Sequence, residues 1–359
     1  MILLKALLFM NAFSLVLGVL IVFMDRVLSS YGPCRITIND DKEFEAKGGR
    51  TLLRTLLEAK YFIPSACGGK GTCGYCKVRV AAGGGAPLAT EALILKPAEI
   101  RQGYRLACQL KVKNDLRIHL PTEYLEIREY AGEIALSEPV TSDIRRIRIR
   151  LPAGERLACK PGQYIQVRID HEGGTDFRAY SVASSPDETE AIEINVKKIP
   201  NGLGSVHLHS LGTGSQVGFS GPYGDFFLRT DSHRKIVCVA GGVGLAPLKA
   251  IVLYWKEHCP DRRLELYYGA RSVKDLYDHE VFTHLAQAYP TFAYHPALSA
   301  PGPDWQGSTG FIHTVLAAQL NDGPDSEAYL CGPPIMIDAV TGVLLQKGVP
   351  AERIWYDKF

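Results

Sequence analysis

The hydrophobic pattern divides the chain into four stretches of different character. Residues 6–24 (ALLFMNAFSLVLGVLIVFM) form a run without charge. Short alternating segments follow to about residue 126, and strands of period two continue to about residue 230. From there to the end, apolar strands alternate with helical patterns. This order predicts a multidomain protein that begins with a hydrophobic helix.

The first run has the length of a membrane-spanning helix. Its nineteen residues approach the roughly 20 that cross a bilayer core of about 30 Å. A cleaved signal peptide would have a shorter apolar region and a small-residue cleavage site, whereas residues 25–32 (DRVLSSYG) show no A-x-A pattern. We therefore predict a transmembrane anchor over residues 1–25 and a linker over residues 26–33.

Basic residues are unequally distributed around this anchor. One basic residue, Lys5, precedes the anchor, and three follow it closely, namely Arg26, Arg35 and Lys42. Because Lys and Arg are enriched on the cytoplasmic side of membranes, we expect a single-pass protein of the inner (plasma) membrane with its soluble domains in the cytoplasm.

The next stretch, residues 34–126, has the pattern of a small β-rich domain. Residues 34–40 (CRITIND) and 42–47 (KEFEAK) alternate as a hairpin would. Residues 51–60 (TLLRTLLEAK) are helical in pattern, and residues 77–83 (KVRVAAG) resemble a strand. This mixture predicts an α+β domain.

Residues 127–230 alternate over several longer segments, as an antiparallel sheet does. The clearest are IRRIRIRLP (144–152), GQYIQVRID (162–170), AIEINVKKI (191–199) and SQVGFSG (215–221). Short strands at this spacing, separated by turn residues, predict a β-barrel of about six strands.

Residues 231–359 carry the alternation of a parallel sheet. A buried strand at 235–240 runs into a glycine turn, and the strand LELYYGAR (264–271) is followed by a helical pattern at 278–289. The strand AYLCGPP (328–334) and a second helical pattern at 335–348 complete the series. Strand and helix in this order predict a doubly wound α/β domain.

Charge and cysteine content narrow the function classes. Lys and Arg number 40 against 38 Asp and Glu, and no basic run is interleaved with aromatic residues. Nucleic acid is therefore not expected as a partner. Nine cysteines in a cytoplasmic body favour metal binding or catalysis over a disulfide framework.

Four of the cysteines have the spacing of an iron–sulfur site. They are Cys67, Cys73, Cys76 and Cys108, and the gaps between them are five, two and 31 residues long. A plant-type [2Fe–2S] site has C-x4-C-x2-C and a distant fourth cysteine, so the first gap here is one residue longer. The alternatives are a zinc site, which normally pairs two short Cys elements, and unconnected thiols.

Glycines at 68, 69, 71 and 74 support the cluster interpretation. A loop around a cluster must turn sharply and aim backbone N–H groups at sulfur, and glycine allows the positive φ that this needs. The other cysteines with no cluster spacing are predicted to be small packed residues; they are Cys34, Cys159, Cys238 and Cys259.

The segment FRAYSVASSP within the predicted barrel has residue types that suit a flavin. Arg178 and Tyr180 share one face of a strand. A flavin needs a cation near its pyrophosphate, an aromatic face against its ring and a hydroxyl near its N5 atom. Arg178, Tyr180 and Ser181 are residues of these three types. An ordinary exposed strand would explain so short a motif equally well.

The glycine turn GGVGLAP at 241–247 has the form of a pyrophosphate site. Its glycines lie between a buried strand and a helix, where backbone N–H groups and the helix dipole attract anions. Pro247 replaces the third glycine of the dinucleotide fingerprint and suits the first helical turn, which tolerates a missing N–H. A lone glycine turn without a ligand is the alternative.

Taken together, four motifs resemble the ferredoxin–NAD(P)+ reductase superfamily across residues 127–359. In order they are RAYS (178–181), GPYGDF (221–226), GGVGLAP (241–247) and CGPPIM (331–336). With the anchor and the cysteine domain upstream, the whole chain resembles the electron-input subunits of membrane NADH:quinone reductases of the sodium-translocating kind. The resemblance implies a β-grasp ferredoxin domain, an FAD-binding barrel and an NADH-binding α/β domain.

The resemblance also implies roles for particular residues. The flavin would be bound by Arg178, Tyr180, Ser181, Asn195, Val196 and Lys197, and its pyrophosphate by Gly204 and Ser205. The nicotinamide nucleotide would contact Gly242, Gly244, Pro247, Gly269, Arg271 and Cys331. Ser181 near N5, Cys331 near the nicotinamide and Phe359 over the flavin ring would serve the reaction directly.

The function implied is electron input from NADH. Hydride would pass from NADH to FAD, and single electrons would pass through a [2Fe–2S] cluster to integral membrane subunits of a quinone-reductase complex. Arg271 makes NADPH conceivable, although the likeness is to NADH-using members. An anchored reductase for an oxygenase or another soluble acceptor, and a non-enzymatic redox sensor or assembly module, are the competing hypotheses.

Overall fold

A computed structural model describes residues 2–28, 31–172 and 174–358, without the side chains of residues 2–4, 6–8 and 25–28. The chain divides into two compact units, Met1–Ile127 and Arg128–Phe359. The N-terminal unit holds the predicted anchor and cysteine domain. The C-terminal unit holds both the predicted barrel and the α/β domain.

The N-terminal unit begins with helix α1, Ile2–Leu28. Its described side chains from Phe9 to Met24 are all exposed. Within the described part of the chain, no helix is long and apolar enough to span a membrane. The anchor predicted for residues 1–25 and the linker predicted for residues 26–33 fall partly outside the described residues, so both stay predictions.

The rest of this unit is a mixed five-stranded sheet with short helices. In chain order the elements are β1 (Pro33–Ile38), β2 (Lys42–Lys47), α2 (Leu52–Glu58), β3 (Lys77–Ala82), α3 (Ala89–Ala92), α4 (Pro97–Arg101), β4 (Tyr104–Leu106), β5 (Leu116–His119) and α5 (Thr122–Glu126). The strand order is β2-β1-β5-β3-β4, with β1 and β5 parallel. The predicted hairpin, helix and strand are all present in this β-grasp arrangement, and α2 buries Leu52, Leu53 and Leu56 in its core.

The first half of the C-terminal unit is an antiparallel barrel. Its elements are β6 (Arg128–Pro139), β7 (Ile144–Arg150), β8 (Tyr164–His171), β9 (Gly174–Ser181), β10 (Ala191–Lys197), α6 (Leu203–Ser210) and β11 (Gln216–Tyr223). The strand order is β10-β7-β6-β11-β8-β9, and a bridge between Val182 and Ile194 joins the two ends. Alternate side chains of these strands fill one apolar core, as the period-two pattern predicts.

The second half, which we call the nucleotide lobe, is a parallel six-stranded sheet with helices on both faces. Its elements are β12 (Lys235–Gly241), α7 (Leu245–His258), β13 (Leu264–Ala270), α8 (His279–Ala288), β14 (Phe292–Leu298), β15 (Ser308–Thr309), α9 (Ile312–Gln319), β16 (Ser326–Gly332), α10 (Pro334–Gln346) and β17 (Ile354–Lys358). The order is β15-β14-β13-β12-β16-β17. The strand order reverses direction between β12 and β16, and ligands of such sheets bind outside the carboxyl ends of the strands at that point.

Candidate cluster, flavin and nucleotide sites

The four predicted cluster cysteines come together in the N-terminal unit as two pairs. The sulfurs of Cys76 and Cys108 are 3.2 Å apart, and the thiols of Cys67 and Cys73 are hydrogen-bonded to each other. That hydrogen bond lowers the pKa of Cys67 to about 3 and raises the pKa of Cys73. In the described part of the chain, no three His, Cys, Asp or Glu side chains are placed to hold a single metal ion. Two pairs of thiols suit a binuclear cluster, in which each iron takes two thiolates.

The loop that carries these cysteines has the backbone conformation its glycines predict. Four glycines have positive φ, at 63° for Gly68, 82° for Gly69, 75° for Gly71 and 72° for Gly74. Backbone N–H groups of Thr72 and Tyr75 donate to the sulfurs of Cys67 and Cys73. The loop therefore presents both thiols and N–H donors to one position, which fits an anionic iron–sulfur cluster.

The other cysteines are packed, as predicted from their spacing. Cys34 and Cys238 are buried, and Cys159 and Cys259 are partly buried beside apolar cores. Burial raises the pKa of all four thiols, that of Cys159 to about 11. Thiols buried in apolar surroundings are chemically inert at neutral pH, which fits a packing role for these four.

Strand β9 and the start of α6 meet at the predicted flavin site. The Arg178 guanidinium is 3.0 Å from the Asp176 carboxylate, which orients it. A Cβ on Gly204 would lie 2.7 Å from both the Arg178 side chain and the Tyr180 hydroxyl oxygen. Only glycine allows the helix to approach so closely. The N–H groups at the start of α6 and the Arg178 charge can therefore act on one anion.

Strand β10 presents an unsatisfied amide at the face opposite the barrel core. Asn195 is 5% exposed, and neither its amide nitrogen nor its amide oxygen has a hydrogen-bond partner in the described part of the chain. Leaving such groups unpaired costs about 1–3 kcal/mol. The site therefore fits a ligand with both donors and acceptors, as a flavin ring has. Val196 points into the barrel core, and its carbonyl oxygen is 2.8 Å from the His209 Nε2 atom. Lys197 is paired with Asp143 at 3.7 Å.

The two serines of the predicted flavin site, Ser181 and Ser205, make different contacts. The Ser205 hydroxyl accepts a hydrogen bond from the Ile199 N–H at 3.0 Å, so it closes the turn before α6 and leaves the backbone for a ligand. Ser181 pairs across the sheet with Tyr164, whose ring stacks on Tyr223 at 5.5 Å. Tyr223 belongs to the GPYGDF motif, but its pairing with Tyr164, the strand neighbour of Ser181, was not predicted.

The glycine turn of the nucleotide lobe lies against the end of β16. Gly242 has φ of 56°, and a Cβ on Gly244 would lie 2.1 Å from the carbonyl oxygen of Cys331. The two predicted segments thus meet at the carboxyl ends of adjacent strands. Pro247 lies in the first turn of α7, as predicted. Burial and the nearby Asp357 carboxylate raise the pKa of Cys331, so its thiol stays neutral.

The remaining predicted nucleotide contacts lie at the ends of β13 and β17. A Cβ on Gly269 would lie 3.0 Å from the Ile312 Cβ, so this glycine lets α9 approach the sheet. Arg271 is 72% exposed and 3.2 Å from the Asp275 carboxylate. Phe359 lies outside the described residues. Its neighbour Lys358 pairs with Gly332, beside Cys331.

Replacing Arg178 with Ala is expected to weaken FAD binding by about 1.5–3 kcal/mol, the usual value of a hydrogen bond to a charged group. The reason is the loss of the cation that faces the start of α6. Fluorescence titration of FAD into the FAD-free protein would measure the change. Arg150→Ala, at an exposed arginine paired with Glu133, is the control. Equal FAD affinity in both variants would exclude Arg178 from the site.

Family models match three parts of the chain in the same order as these sites. They are the 2Fe-2S iron-sulfur cluster binding domain over residues 36–113, the oxidoreductase FAD-binding domain over residues 132–228 and the oxidoreductase NAD-binding domain over residues 238–342. The fold and the matched domains define an iron–sulfur flavoprotein oxidoreductase that uses NAD, FAD and a [2Fe–2S] cluster.

Relatives that match almost the whole chain identify its family. Proteins named as the F subunit of the Na(+)-translocating NADH-quinone reductase, from Neisseria gonorrhoeae and Idiomarina loihiensis, are 35% and 36% identical, each over 96% of both chains. The protein of that name from Actinobacillus pleuropneumoniae is 34% identical over 97% of both chains. The chain belongs to the family of F subunits of the Na(+)-translocating NADH-quinone reductase.

Solved structures of similar fold include a cytochrome P450 reductase and a ferredoxin reductase in a dioxygenase. Amycolatopsis cytochrome P450 reductase GcoB has a TM-score of 0.72 and 30% identity, over 91% of this chain and 98% of the reductase. A ferredoxin reductase in carbazole 1,9a-dioxygenase has a TM-score of 0.70 and 28% identity over the same shares. These similarities extend over the ferredoxin, flavin and nucleotide domains together.

Proposed function

We propose that this chain takes hydride from NADH at its flavin site and delivers single electrons through its cysteine loop to integral membrane subunits of a quinone-reductase complex. The observation that carries the proposal is the near-complete match to the F subunits of the Na(+)-translocating NADH-quinone reductase. The grouping of Arg178, Tyr180 and Gly204, and of Gly244 with Cys331, supports it independently.

The side chains at the flavin site bind and orient in this proposal. Arg178, held by Asp176, balances the charge of the pyrophosphate together with the N–H groups at the start of α6. The Asn195 amide gains the partners it lacks. FAD, when bound, accepts a hydride and can give up its electrons one at a time. Ser181 supplies a hydroxyl that can hydrogen-bond at N5.

The nucleotide side of the site excludes water and shapes the approach of NADH. Gly242 and Gly244 present backbone N–H groups to the pyrophosphate, with no Cβ in the way. Cys331 is fully buried and neutral, so it contributes shape rather than a nucleophile. We propose that Phe359 covers the flavin ring, because the strand that precedes Phe359 ends beside Cys331.

The membrane association belongs to the proposal as well. The uncharged run at residues 6–24 forms a helix whose described side chains from Phe9 to Met24 are exposed. We propose that residues 1–25 are a single-pass anchor, with domains at 34–126, 127–230 and 231–359 on the cytoplasmic side. A short linker would hold the cluster near the membrane and raise its effective concentration toward a membrane partner.

A second function is favoured by the two oxygenase-linked reductases of similar fold. An anchored, NADH-dependent reductase would deliver electrons to a soluble oxygenase through the same three sites. It differs from the first proposal only in the acceptor, so an experiment must separate electron entry from electron exit.

Deleting residues 1–25 is expected to leave NADH:ferricyanide activity near normal and to reduce quinone reduction in membranes by about tenfold or more. The physical reason is the loss of the high effective concentration that a short tether provides. Both rates would be measured in membranes from cells that lack the native gene. Replacing the anchor with an unrelated transmembrane helix is the matched control and should restore quinone reduction if tethering alone matters. Full quinone reduction by the truncated protein would contradict the anchored-subunit proposal.

A further inference from the structure

Four charged side chains meet where the barrel contacts the nucleotide lobe, and we call them the interlobe clasp. The clasp consists of Arg146 on β7, Glu193 on β10, Lys249 on α7 and Asp278 at the start of α8. The Lys249 ammonium nitrogen is 2.8 Å from a Glu193 carboxylate oxygen and 2.9 Å from one of Asp278. The Arg146 guanidinium lies 3.5 Å from Glu193 and also contacts Asp278.

Two members of the clasp are buried and two are partly buried, and a gain in stability alone does not explain their presence. Lys249 and Glu193 are 9% and 8% exposed. A third carboxylate, that of the more exposed Glu138, also lies 3.2 Å from Arg146. The two cations and two anions of the clasp balance in charge, but desolvating them costs as much as their attraction returns, and apolar residues of the same volume are often as stable. What ionic groups add is a defined geometry, because each charge has at least two oppositely charged partners, at least one of which lies on the opposite lobe.

The clasp connects the strand of the flavin site to the turn of the nucleotide site. Glu193 lies two residues before Asn195 and faces the same side of β10. Lys249 lies two residues after Pro247, in the helix that follows the glycine turn. Tyr277, next to Asp278, donates a hydrogen bond to the Val243 carbonyl at 3.5 Å. Both ends of the clasp are therefore attached to predicted ligand-binding segments.

We propose that the interlobe clasp fixes the glycine turn at residues 241–247 relative to β10, and that Lys249 is a positioning residue for hydride transfer. This inference rests on the proposed function, since it concerns the distance between nicotinamide and flavin. A misplacement of about 1 Å in such a reaction can cost about 100-fold in rate. Lys249 acts through the backbone that carries the ligands and does not touch the reacting atoms.

The test compares Lys249→Met with Lys256→Met in the full-length protein. Lys256 lies on the same helix but pairs with Glu257 at the surface, so it is a matched control. Hydrogen exchange of the FAD-free protein should show faster amide exchange, by about tenfold, at residues 241–247 and 192–196 in Lys249→Met only. Single-turnover reduction of FAD by NADH should slow by about 10- to 100-fold. The affinities for FAD and NADH should change by less than about threefold. Lys249→Arg keeps a cation between the two carboxylates and should restore part of the rate.

Unchanged exchange and unchanged reduction in Lys249→Met would overturn the proposal. A slower rate that only follows loss of bound FAD would also overturn it, since the clasp would then be merely structural. If Lys249→Met does not fold, Asp278→Asn and Glu193→Gln keep the side-chain shape and must show the same local exchange. A wild-type protein whose FAD is not reduced by NADH would refute the proposed function, while the exchange measurement would still decide whether the clasp restrains the turn.

Discussion

Cys73→Ala is expected to abolish the rhombic EPR signal that the reduced wild-type protein should give. Cys73 and Cys67 form one of the two thiol pairs, and an iron that loses one of its two thiolates is not retained. Protein purified without oxygen should contain two irons and two sulfides for each chain, and the variant should contain close to none. FAD should remain bound, because the flavin site lies in the other compact unit.

Cys259→Ala is the control for the loss of a thiol as such, since Cys259 lies partly buried in the nucleotide lobe. Iron, sulfide and EPR signal should be unchanged in this variant. Zinc at one ion for each wild-type chain, in place of iron, would contradict the cluster and support the zinc alternative. A Cys73→Ala protein that kept its signal would show that another ligand completes the site.

Gly244→Ala is expected to slow the reduction of FAD by NADH strongly and to destabilise the nucleotide lobe. The added Cβ would lie 2.1 Å from the Cys331 carbonyl oxygen, which is backbone and cannot rotate away. Forcing the two segments apart costs about 1–3 kcal/mol in the free energy of unfolding. The shift also displaces the pyrophosphate turn, so the rate of flavin reduction should fall by about 100-fold.

Gly342→Ala provides the matched control, because a Cβ at Gly342 in helix α10 meets no atom within 4 Å. This variant should be stabilised by about 0.5–1 kcal/mol, the usual gain of alanine over glycine in a helix. Thermal unfolding and stopped-flow reduction by NADH would compare the two proteins. Equal behaviour of Gly244→Ala and the wild type would show that the turn does not contact β16 in solution.

Much of the fold was predictable because its strands and helices have clear hydrophobic periods. Segments such as GQYIQVRID and DHEVFTHLAQAY form strand β8 and helix α8 as predicted. Strand β14 was not identified, since Pro296 interrupts its pattern, yet it pairs with β13 along its whole length. Strand β5 is only four residues long and is defined by its pairing with β1 and β3, which no local pattern reveals.

Some residues of the candidate site could be predicted from the sequence, and others could not. Those within short motifs were predictable, because chemistry places Arg178, Gly244 and the cluster cysteines close together in sequence or in characteristic spacing. Lys249 and Glu193 were not, since 56 residues separate them and each looks like an ordinary charged side chain. A lysine within the apolar helix LAPLKAIVLYW was the one available signal. Its pairing with Glu193 can be identified only from the contact between the barrel and the nucleotide lobe in the structure.

The four positive-φ glycines around the cysteines have a consequence for the speed of electron exchange. A loop whose shape is set by its own backbone conformation, and by N–H groups already directed at sulfur, has little need to rearrange when the charge it encloses changes by one. Small rearrangement means a small reorganisation energy, and therefore a low barrier for both gaining and losing an electron. The loop is thus suited to brief occupancy by each electron, as a relay requires, rather than to storage.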